Sequence, residues 1–344
     1  MTMTKTCMCL LLFFTAVTSA AIQGGFYADI TDGLMVPPHS AAKAGSDLST
    51  GNGISVESTP GNLPFDSLNR ISLSYAGFYG NTFNTSLVTY RGSPAENIGI
   101  GVLLGYVYIP DIPNTTKSDT TPDGEMREAK ISYFSASRII MRAGVGRAFT
   151  IRPDITLGAG IALNAKRVRL PETGYGIGMD AGARLLLSKP GISLAVQLEN
   201  ITSSYTYWSA DFKEHAYPHC RAGIGYERYF PYIYGSLQLS YATPDLFAND
   251  GINSITTKKT ENDNTIETIG HYELYDKPSL LFSSGRYGVE YTIMNAVSFR
   301  AGVYSGSISF GAGFHLLRDK AAIDVAYITH ALSGTYQLSL NYAW

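Results

Sequence analysis

Hydrophobic and polar residues alternate with a period of two along much of the chain. In residues 335–344 the large apolar residues fall on one face and polar or small residues on the other; the apolar ones are Tyr336, Leu338, Leu340, Tyr342 and Trp344. This period is typical of a β-strand whose two faces meet different surroundings. The same alternation occurs in residues 98–108, 155–166, 191–201 and 306–317. The pattern therefore predicts an all-β protein.

The alternation predicts fourteen strands, and the lengths of the connections between them follow a rule. The predicted strands are residues 69–79, 82–91, 98–108, 131–149, 155–166, 174–188, 191–201, 216–229, 231–242, 279–292, 296–304, 306–317, 321–331 and 334–343. Every second connection is a short turn, and the long connections are all odd-numbered: residues 109–130, 202–215 and 243–278. Short turns at one end and long loops at the other are typical of outer-membrane barrels, which have an even strand count. We predict an antiparallel transmembrane β-barrel of about 14 strands.

Two features of the strands refine this prediction. Residues 131–149 are long for a single crossing, so we expect their first half to extend above the membrane. The last strand carries aromatic residues on its apolar face, and we predict that Tyr342 and Trp344 form the signal read by the barrel-assembly machinery. A soluble sandwich also alternates, but it has sheet edges to protect, whereas a closed barrel has none.

Composition and charge agree with a barrel and exclude some partners. The chain has 344 residues, with 24 Tyr and 35 Gly. Tyrosine suits the two membrane–water interfaces, because its apolar ring carries a polar hydroxyl. The net charge of −2 gives no reason to expect a nucleic-acid partner.

The first part of the chain predicts a targeting segment followed by a hatch. Lys5, an apolar run over residues 8–17 and a small-residue site ending at Ala20 predict a signal peptide over residues 1–20, and hence export to the cell outer membrane. Residues 21–68 are rich in Gly, Pro, Ser and Asn and do not alternate, yet they contain several apolar groups. They are either a periplasmic tail or, as we expect, a hatch or plug inside a barrel formed by residues 69–344.

Four stretches of the chain are similar to a known group of outer-membrane proteins: residues 53–63, 178–200, 221–227 and 288–327 with the closing Trp344. On these stretches the chain resembles the PorV/PorQ-like family and its uncharacterised spirochaete relatives, within the FadL-like fatty-acid transporter barrel superfamily. The resemblance implies a fourteen-stranded barrel with an N-terminal hatch that takes up long-chain fatty acids or similar lipids. The corresponding hatch motif here is Thr59, Pro60, Gly61 and Asn62, where only the proline matches the Asn-Pro-Ala pattern of the superfamily.

Ionisable residues on the polar strand faces are the candidate functional groups, because a polar lumen keeps them solvated. By alternation they are Asp180, Arg184, Glu199, Arg221, Glu227, Arg300, His315, Asp324 and His330. One interpretation is an ion-pair network that fills a narrow lumen. The other is that Arg184, Arg221 or Arg300 binds a ligand carboxylate through two parallel hydrogen bonds.

The sequence predicts no catalytic residues, no metal site and no cofactor. His215, His219 and Cys220 are metal-ligating residue types, but they lie where a loop enters a strand rather than on one helix face. The chain has no Gly-x-Ser-x-Gly nucleophile motif. We therefore do not expect an enzyme.

Three functions fit these patterns. The first is passive, FadL-like uptake of a hydrophobic small molecule such as a fatty acid or other lipid. The second is a PorV-like barrel that docks or shuttles a secreted protein through its large external loops. The third is a general porin, which would need an open charged constriction. In each case outer-membrane lipid surrounds the barrel.

Overall fold

The structure is a computed structural model, and it describes residues 34–50, 56, 58–114, 132–209, 213–247, 253–259, 266–272, 274, 277–317, 320–331 and 333–344. The predicted signal peptide, residues 1–20, lies outside the described residues. No helix within these ranges is both long enough and apolar enough to cross a membrane.

The described residues form eighteen strands. They are β1 Arg70–Phe78, β2 Phe83–Ala95, β3 Ile98–Asn114, β4 Ser132–Arg152, β5 Ile155–Arg169, β6 Thr173–Leu187, β7 Ile192–Glu199, β8 Ser204–Trp208, β9 Lys213–Ala216, β10 His219–Phe230, β11 Gly235–Ala242, β12 Asn253–Lys259, β13 Ile266–Tyr272, β14 Arg286–Ile293, β15 Val297–Tyr304, β16 Ser307–Leu316, β17 Ala321–Ile328 and β18 Thr335–Ala343.

Fourteen of these strands close into one antiparallel barrel. Each pairs with the next barrel strand along the chain, with β7 followed by β10 and β11 by β14. The barrel closes where β1 pairs with β18, with Leu73 opposite Leu340. The predicted fold class and strand number are therefore confirmed.

Four short strands in the long connections were not predicted. Strands β8 and β9 form a hairpin that adds to the side of β6, and β12 and β13 form a separate hairpin between β11 and β14. Several predicted strand boundaries are wrong. Strands β2 to β5 run three or more residues past their predicted ends, and β10 begins at His219 rather than at residue 216. Three further boundaries fall in other structure. Residues 280–283 form a short helix, α2, residues 231–233 form a 3-10 helix, and β17 ends at Ile328, so His330 lies in the following loop.

In the barrel wall the polar side chains are buried and the apolar ones exposed, the reverse of the arrangement in a soluble protein. In β18, Thr335, Gln337 and Ser339 are buried, whereas Leu338 and Leu340 are 45% and 51% exposed. The buried face points into the barrel and the exposed apolar face points outward. An apolar exterior and a polar interior characterise a barrel that spans a membrane.

Strand β4 is longer than one membrane crossing needs, as the sequence led us to expect. It runs for 21 residues and pairs with β3 as far as Asn114, with a register shift between Ile109 and Ile112. A tilted crossing takes roughly 9–11 residues. The paired ends of β3 and β4 therefore continue beyond the bilayer on the side of the long connections, which we call the external side.

The described N-terminal residues 34–50, 56 and 58–68, here called the N-terminal segment, pack against the inner wall. The segment contains a short helix, α1, Pro38–Ala41, and a 3-10 helix over Pro60–Phe65, whose first turn is capped by Thr59 Oγ1 accepting a hydrogen bond from the Gly61 amide. Its apolar residues join a core with inward residues of the wall: Met35, Val56 and Leu63 with Leu87, Leu103, Val107, Ile140 and Ala162.

Candidate functional site

A buried charge network joins the N-terminal segment to the wall. Lys43 Nζ lies 3.0 Å from Glu290 Oε2 and donates a hydrogen bond to Gln238 Oε1, also at 3.0 Å. Glu290 is paired in turn with Arg300, whose Nε lies 3.2 Å from Glu290 Oε2. The network therefore connects the turn after α1 with β11, β14 and β15 through side chains that reach little solvent.

The same network continues toward β18 and back into the N-terminal segment. Arg300 Nη1 donates to Asp324 Oδ1 at 2.5 Å, and Asp324 Oδ2 accepts from Asn341 Nδ2 at 2.7 Å. Within the segment, Ser40 Oγ donates to Asp47 Oδ1 at 2.5 Å. Burial alone would raise the pKa of the Asp47 carboxyl, but Lys43 and the other neighbouring donors hold that pKa below its usual value. Asp47 is thus an anion inside the barrel.

Arg91 holds the other part of the segment. Its side chain is fully buried, and its Nε and Nη2 donate to the Leu63 carbonyl at 3.1 and 2.6 Å. Its Nη1 donates to the Leu68 carbonyl at 2.5 Å and lies 3.6 Å from Asp66 Oδ2. The planar fork of arginine is suited to binding several oxygens at once, so one wall residue satisfies two carbonyls of an irregular segment.

Glycines on β4, β5 and β6 give the predicted hatch motif room to approach the wall. A Cβ added at Gly146 or at Gly160 would lie 2.5 Å from the Pro60 carbonyl oxygen, and one at Gly182 would lie 1.8 Å from Thr59 Oγ1. Such distances are too short for any real Cβ. The backbone around Pro60 and Gly61 therefore rests directly on the backbone of the barrel. Asn62, also in the motif, is fully buried and donates to the Leu48 carbonyl at 3.0 Å.

The outer surface of the same wall carries an apolar depression. It measures about 520 Å³, and its floor is formed by small side chains, Ala159, Ala181 and Ala183, with larger apolar residues at its edges: Val145, Ile161, Val196 and Leu198. Small residues outside and glycines inside make the wall thin where the predicted hatch motif lies behind it.

A second set of charges lies closer to the external end of the lumen. Arg142 Nη2 is 3.1 Å from Asp180 Oδ2, and Asn164 joins both residues. Arg221 forms an ion pair with Glu199. These pairs cross neighbouring strands from β4 to β10, so part of the lumen lining is an intramolecular network.

Each arginine predicted to bind a ligand has a partner within the chain. Arg300 is paired with Glu290 and Asp324, and Arg221 with Glu199. Arg184 lies over the ring of Phe65 in the N-terminal segment, with 4.7 Å between its Cζ and the ring centroid. Their role in ligand binding stays a prediction.

The remaining predicted residues lie at different heights in the barrel. Gln238 Nε2 donates to Glu227 Oε2 at 3.3 Å near the end of β10, and His315 Nε2 lies 3.0 Å from Ser298 Oγ. His330 lies outside the lumen lining, in the β17–β18 loop, where its ring packs 5.0 Å from that of Tyr79. His330 was expected on a strand, and the chain turns before reaching it.

The residues of the possible metal motif have separate contacts. His215, on β9, packs its ring 4.7 Å from that of Tyr205. His219 Nδ1 lies 3.0 Å from Asp245 Oδ2, and the same carboxylate accepts from the Cys220 amide at 2.7 Å. The two histidines therefore have different partners, an aromatic ring for His215 and a carboxylate for His219.

The predicted assembly signal lies on the outer face. The rings of Tyr342 and Trp344 stack with centroids 5.9 Å apart, and Tyr90 lies 6.3 Å from Trp344. This aromatic group occupies the end of the barrel opposite the long loops, where an interfacial girdle is expected.

Sequence reasoning missed three residues that hold the N-terminal segment: Lys43, Arg91 and Glu290. Alternation could have found two of them, because Arg91 and Glu290 fall on inward faces of predicted strands. Lys43 lies in an irregular stretch with no period, and nothing in the sequence marks it as buried.

Comparison with known proteins supports the architecture. The chain is similar to the TodX deltaS2S3 mutant monoaromatic hydrocarbon channel, with a TM-score of 0.51 and 11% identity over 90% of this chain and 97% of that one. At this identity the similarity shows the fold alone. The Pseudomonas putida toluene transporter TodX scores 0.49 at 12% identity over 88% and 95% of the two chains. A Pseudomonas aeruginosa FadL homologue scores 0.47 at 11% identity over 89% and 98%. No family model and no curated sequence matches the chain.

Proposed function

We propose that this protein is an outer-membrane channel for hydrophobic solutes, with the N-terminal segment as its hatch. The observation that carries this proposal is the packing of that segment inside the closed barrel. Lys43 and the 3-10 helix at Pro60 are held by separate parts of the wall. A solute crossing such a barrel has to move the segment or pass around it.

The nature of the solute is inferred from the wall. The depression over Ala159, Ala181 and Ala183 faces outward among apolar side chains, where an apolar molecule gains from leaving water. It lies directly across a thin wall from the hatch motif. We infer that hydrophobic molecules, long-chain fatty acids or similar lipids among them, enter from the external side and leave past the hatch or sideways through this wall.

A general porin is the less favoured alternative. Its lumen would hold an open, charged constriction, whereas here the charged side chains Lys43, Glu290 and Arg300 are paired and buried under the N-terminal segment. The proposal includes three further points. The transport involves no enzymatic step, residues 1–20 direct export of the chain, and the barrel-assembly machinery inserts the barrel into the outer membrane.

The proposal is tested by uptake into cells whose outer membrane excludes hydrophobic solutes. Cells that express the chain are given a fluorescent long-chain fatty acid or a hydrophilic oligosaccharide of similar mass. We expect saturable uptake of the fatty acid and no gain in oligosaccharide entry. Faster oligosaccharide entry without fatty-acid uptake would favour a porin and contradict the proposal.

A second candidate, docking of a secreted protein, is favoured by the two hairpins β8–β9 and β12–β13 on the external side. Deleting residues 253–272, which span the β12–β13 hairpin, would distinguish a channel from a docking barrel. A channel is expected to keep its solute uptake without this hairpin, whereas a docking barrel would lose a co-purifying protein.

A further inference from the structure

Two exposed arginines lie on the outer face of β5, just above its apolar part. The outward positions of this strand are apolar from Ile155 to Ala165, a span of about 11 residues that matches one membrane crossing. Arg167 and Arg169 are the next two outward positions, and both are exposed. They therefore lie at the external end of the apolar band, where the lipid head groups begin.

Neighbouring strands extend this group along the outer face. Tyr175 on β6 is the register partner of Arg167, and Tyr207 on β8 is the partner of Tyr175. Lys213 on β9 is in turn the partner of Tyr207. All three additional side chains are exposed, and three strand spacings place the ends of the row roughly 14 Å apart. We call Arg167, Arg169, Tyr175, Tyr207 and Lys213 the basic patch.

The cations of the basic patch have aromatic neighbours but no anionic ones. Arg167 Cζ lies 5.9 Å from the ring centroid of Tyr175, and Lys213 Nζ lies 5.4 Å from that of Tyr207. Among the residues that the structure describes, no carboxylate lies within ion-pair distance of Arg167, Arg169 or Lys213. A ring face positions a cation without neutralising it. The patch therefore presents three positive charges at the membrane surface.

Other sectors of the external end have aromatic residues that pack against one another instead. On β3, the rings of Tyr106 and Tyr108 stack with centroids 6.3 Å apart. Tyr327 on β17 lies 4.9 Å from Tyr336 on β18. Tyrosine suits any membrane–water interface, because its ring is apolar and its hydroxyl is polar. Cations among the tyrosines, as on β5 to β9, favour anionic lipid in that sector.

We propose that the basic patch binds the phosphate-bearing head group of an anionic lipid in the external leaflet. Each guanidinium can donate parallel hydrogen bonds to phosphate oxygens, and Lys213 adds a compact positive charge. One register row nearer the membrane centre, Met141 and Ile177 are 49% and 60% exposed and offer apolar surface to the acyl chains. This site belongs to the outer face of the wall, so it does not depend on which solute the lumen carries.

The test is native mass spectrometry of the full chain released from lipid nanodiscs that contain equal amounts of phosphatidylglycerol and phosphatidylcholine. Both lipids have a phosphate and the same acyl chains, but only phosphatidylglycerol has a net negative charge. We expect the wild type to retain phosphatidylglycerol about fivefold or more over phosphatidylcholine, the preference that one interfacial cation confers. The triple variant Arg167→Gln, Arg169→Gln, Lys213→Gln should lose most of this preference.

The triple variant Arg152→Gln, Lys189→Gln, Arg228→Gln is the matched control. It removes the same charge from exposed positions at the opposite end of the barrel, and it should keep the wild-type preference. If the triple variant of the patch folds poorly, Arg169→Gln alone should lower the preference about two- to fivefold.

Three results would overturn the inference. They are equal retention of the two lipids by the wild type, an unchanged preference in the patch variants, and an equal loss in the patch and control variants. Each of them would leave the proposed function untouched, because none of these side chains faces the lumen.

Discussion

At the scale of single residues, Lys43 ties the N-terminal segment to the barrel. It is 3% exposed and makes close contacts to Glu290 and Gln238, which lie on two different strands. Glu290 keeps Arg300 as a second cation, so the network does not depend on Lys43 for its own pairing. Removal of Lys43 is therefore expected to release the segment more than it weakens the wall.

Lys43→Met tests this expectation. The variant should lower the local stability of residues 38–50 by about 1–3 kcal/mol, the value of a hydrogen bond to a charged group, with little change in unfolding of the barrel. Hydrogen exchange resolved by segment measures both quantities. Lys189→Met is the control, since Lys189 is 82% exposed and 3.6 Å from Asp154, and it should change neither. Equal loss in both regions would contradict a role specific to the segment.

His39 gives the segment a pH dependence. Burial lowers the pKa of its imidazole, with Lys43 and Arg300 acting in the same direction and Asp47 and Asp324 opposing them. The released segment therefore binds a proton more readily than the packed one, so packing is favoured above the ordinary histidine pKa and weakens as the pH falls below about 6.5. Protease cleavage within residues 38–50 should become faster between pH 7.5 and 5.5. His39→Gln should reduce this change in cleavage rate with pH. If the change is as large in His39→Gln as in the wild type, the pH dependence comes from another titratable group.

At the scale of elements, the strands were predictable, whereas the arrangement of the N-terminal segment was not. A period of two shows that each strand has two unlike faces, and Arg300 and Asp324, both predicted to face inward, are buried. Alternation does not say which inward residues meet, so the pairing of Arg300 with Glu290 was missed. The place of the Pro60 turn depends on glycines of three other strands, and such distant contacts leave no period in the sequence.

Gly160→Ala tests the fit of the segment against the wall. The new Cβ would lie 2.5 Å from the Pro60 carbonyl oxygen and 2.7 Å from that of Val145, both backbone atoms that cannot move aside alone. We expect faster hydrogen exchange in residues 58–65 with the barrel still closed. Gly178→Ala is the control, because its nearest atoms belong to the Asn200 and Ser204 side chains. An equal effect of both changes would show that the glycines act through strand geometry rather than through the segment.

At the scale of the whole molecule, the outer face of the barrel is apolar and suited to lipid, whereas the inner face is polar. Leu338 and Leu340 point outward and Gln337 and Ser339 inward, which is stable only if lipid lies outside. Leu338→Arg should destabilise the barrel in phospholipid vesicles by about 2–4 kcal/mol, the cost of arginine near the bilayer midplane. Tyr207→Arg, on the external β8–β9 hairpin, should cost far less. Urea unfolding measures both, and equal costs would contradict the membrane-facing assignment.

The central claim is that the N-terminal segment is a hatch, and a disulfide lock tests it most directly. A Cβ at Gly182 would lie 3.1 Å from the Thr59 Cβ, close enough for a bond after a small relaxation. We would measure fluorescent fatty-acid uptake by cells expressing Thr59→Cys with Gly182→Cys, in a Cys220→Ser background, with the single-cysteine variants as controls. The account predicts that the oxidised double variant loses uptake and that a reductant restores it. Undiminished uptake by a fully cross-linked barrel would show that solutes do not depend on movement of the segment.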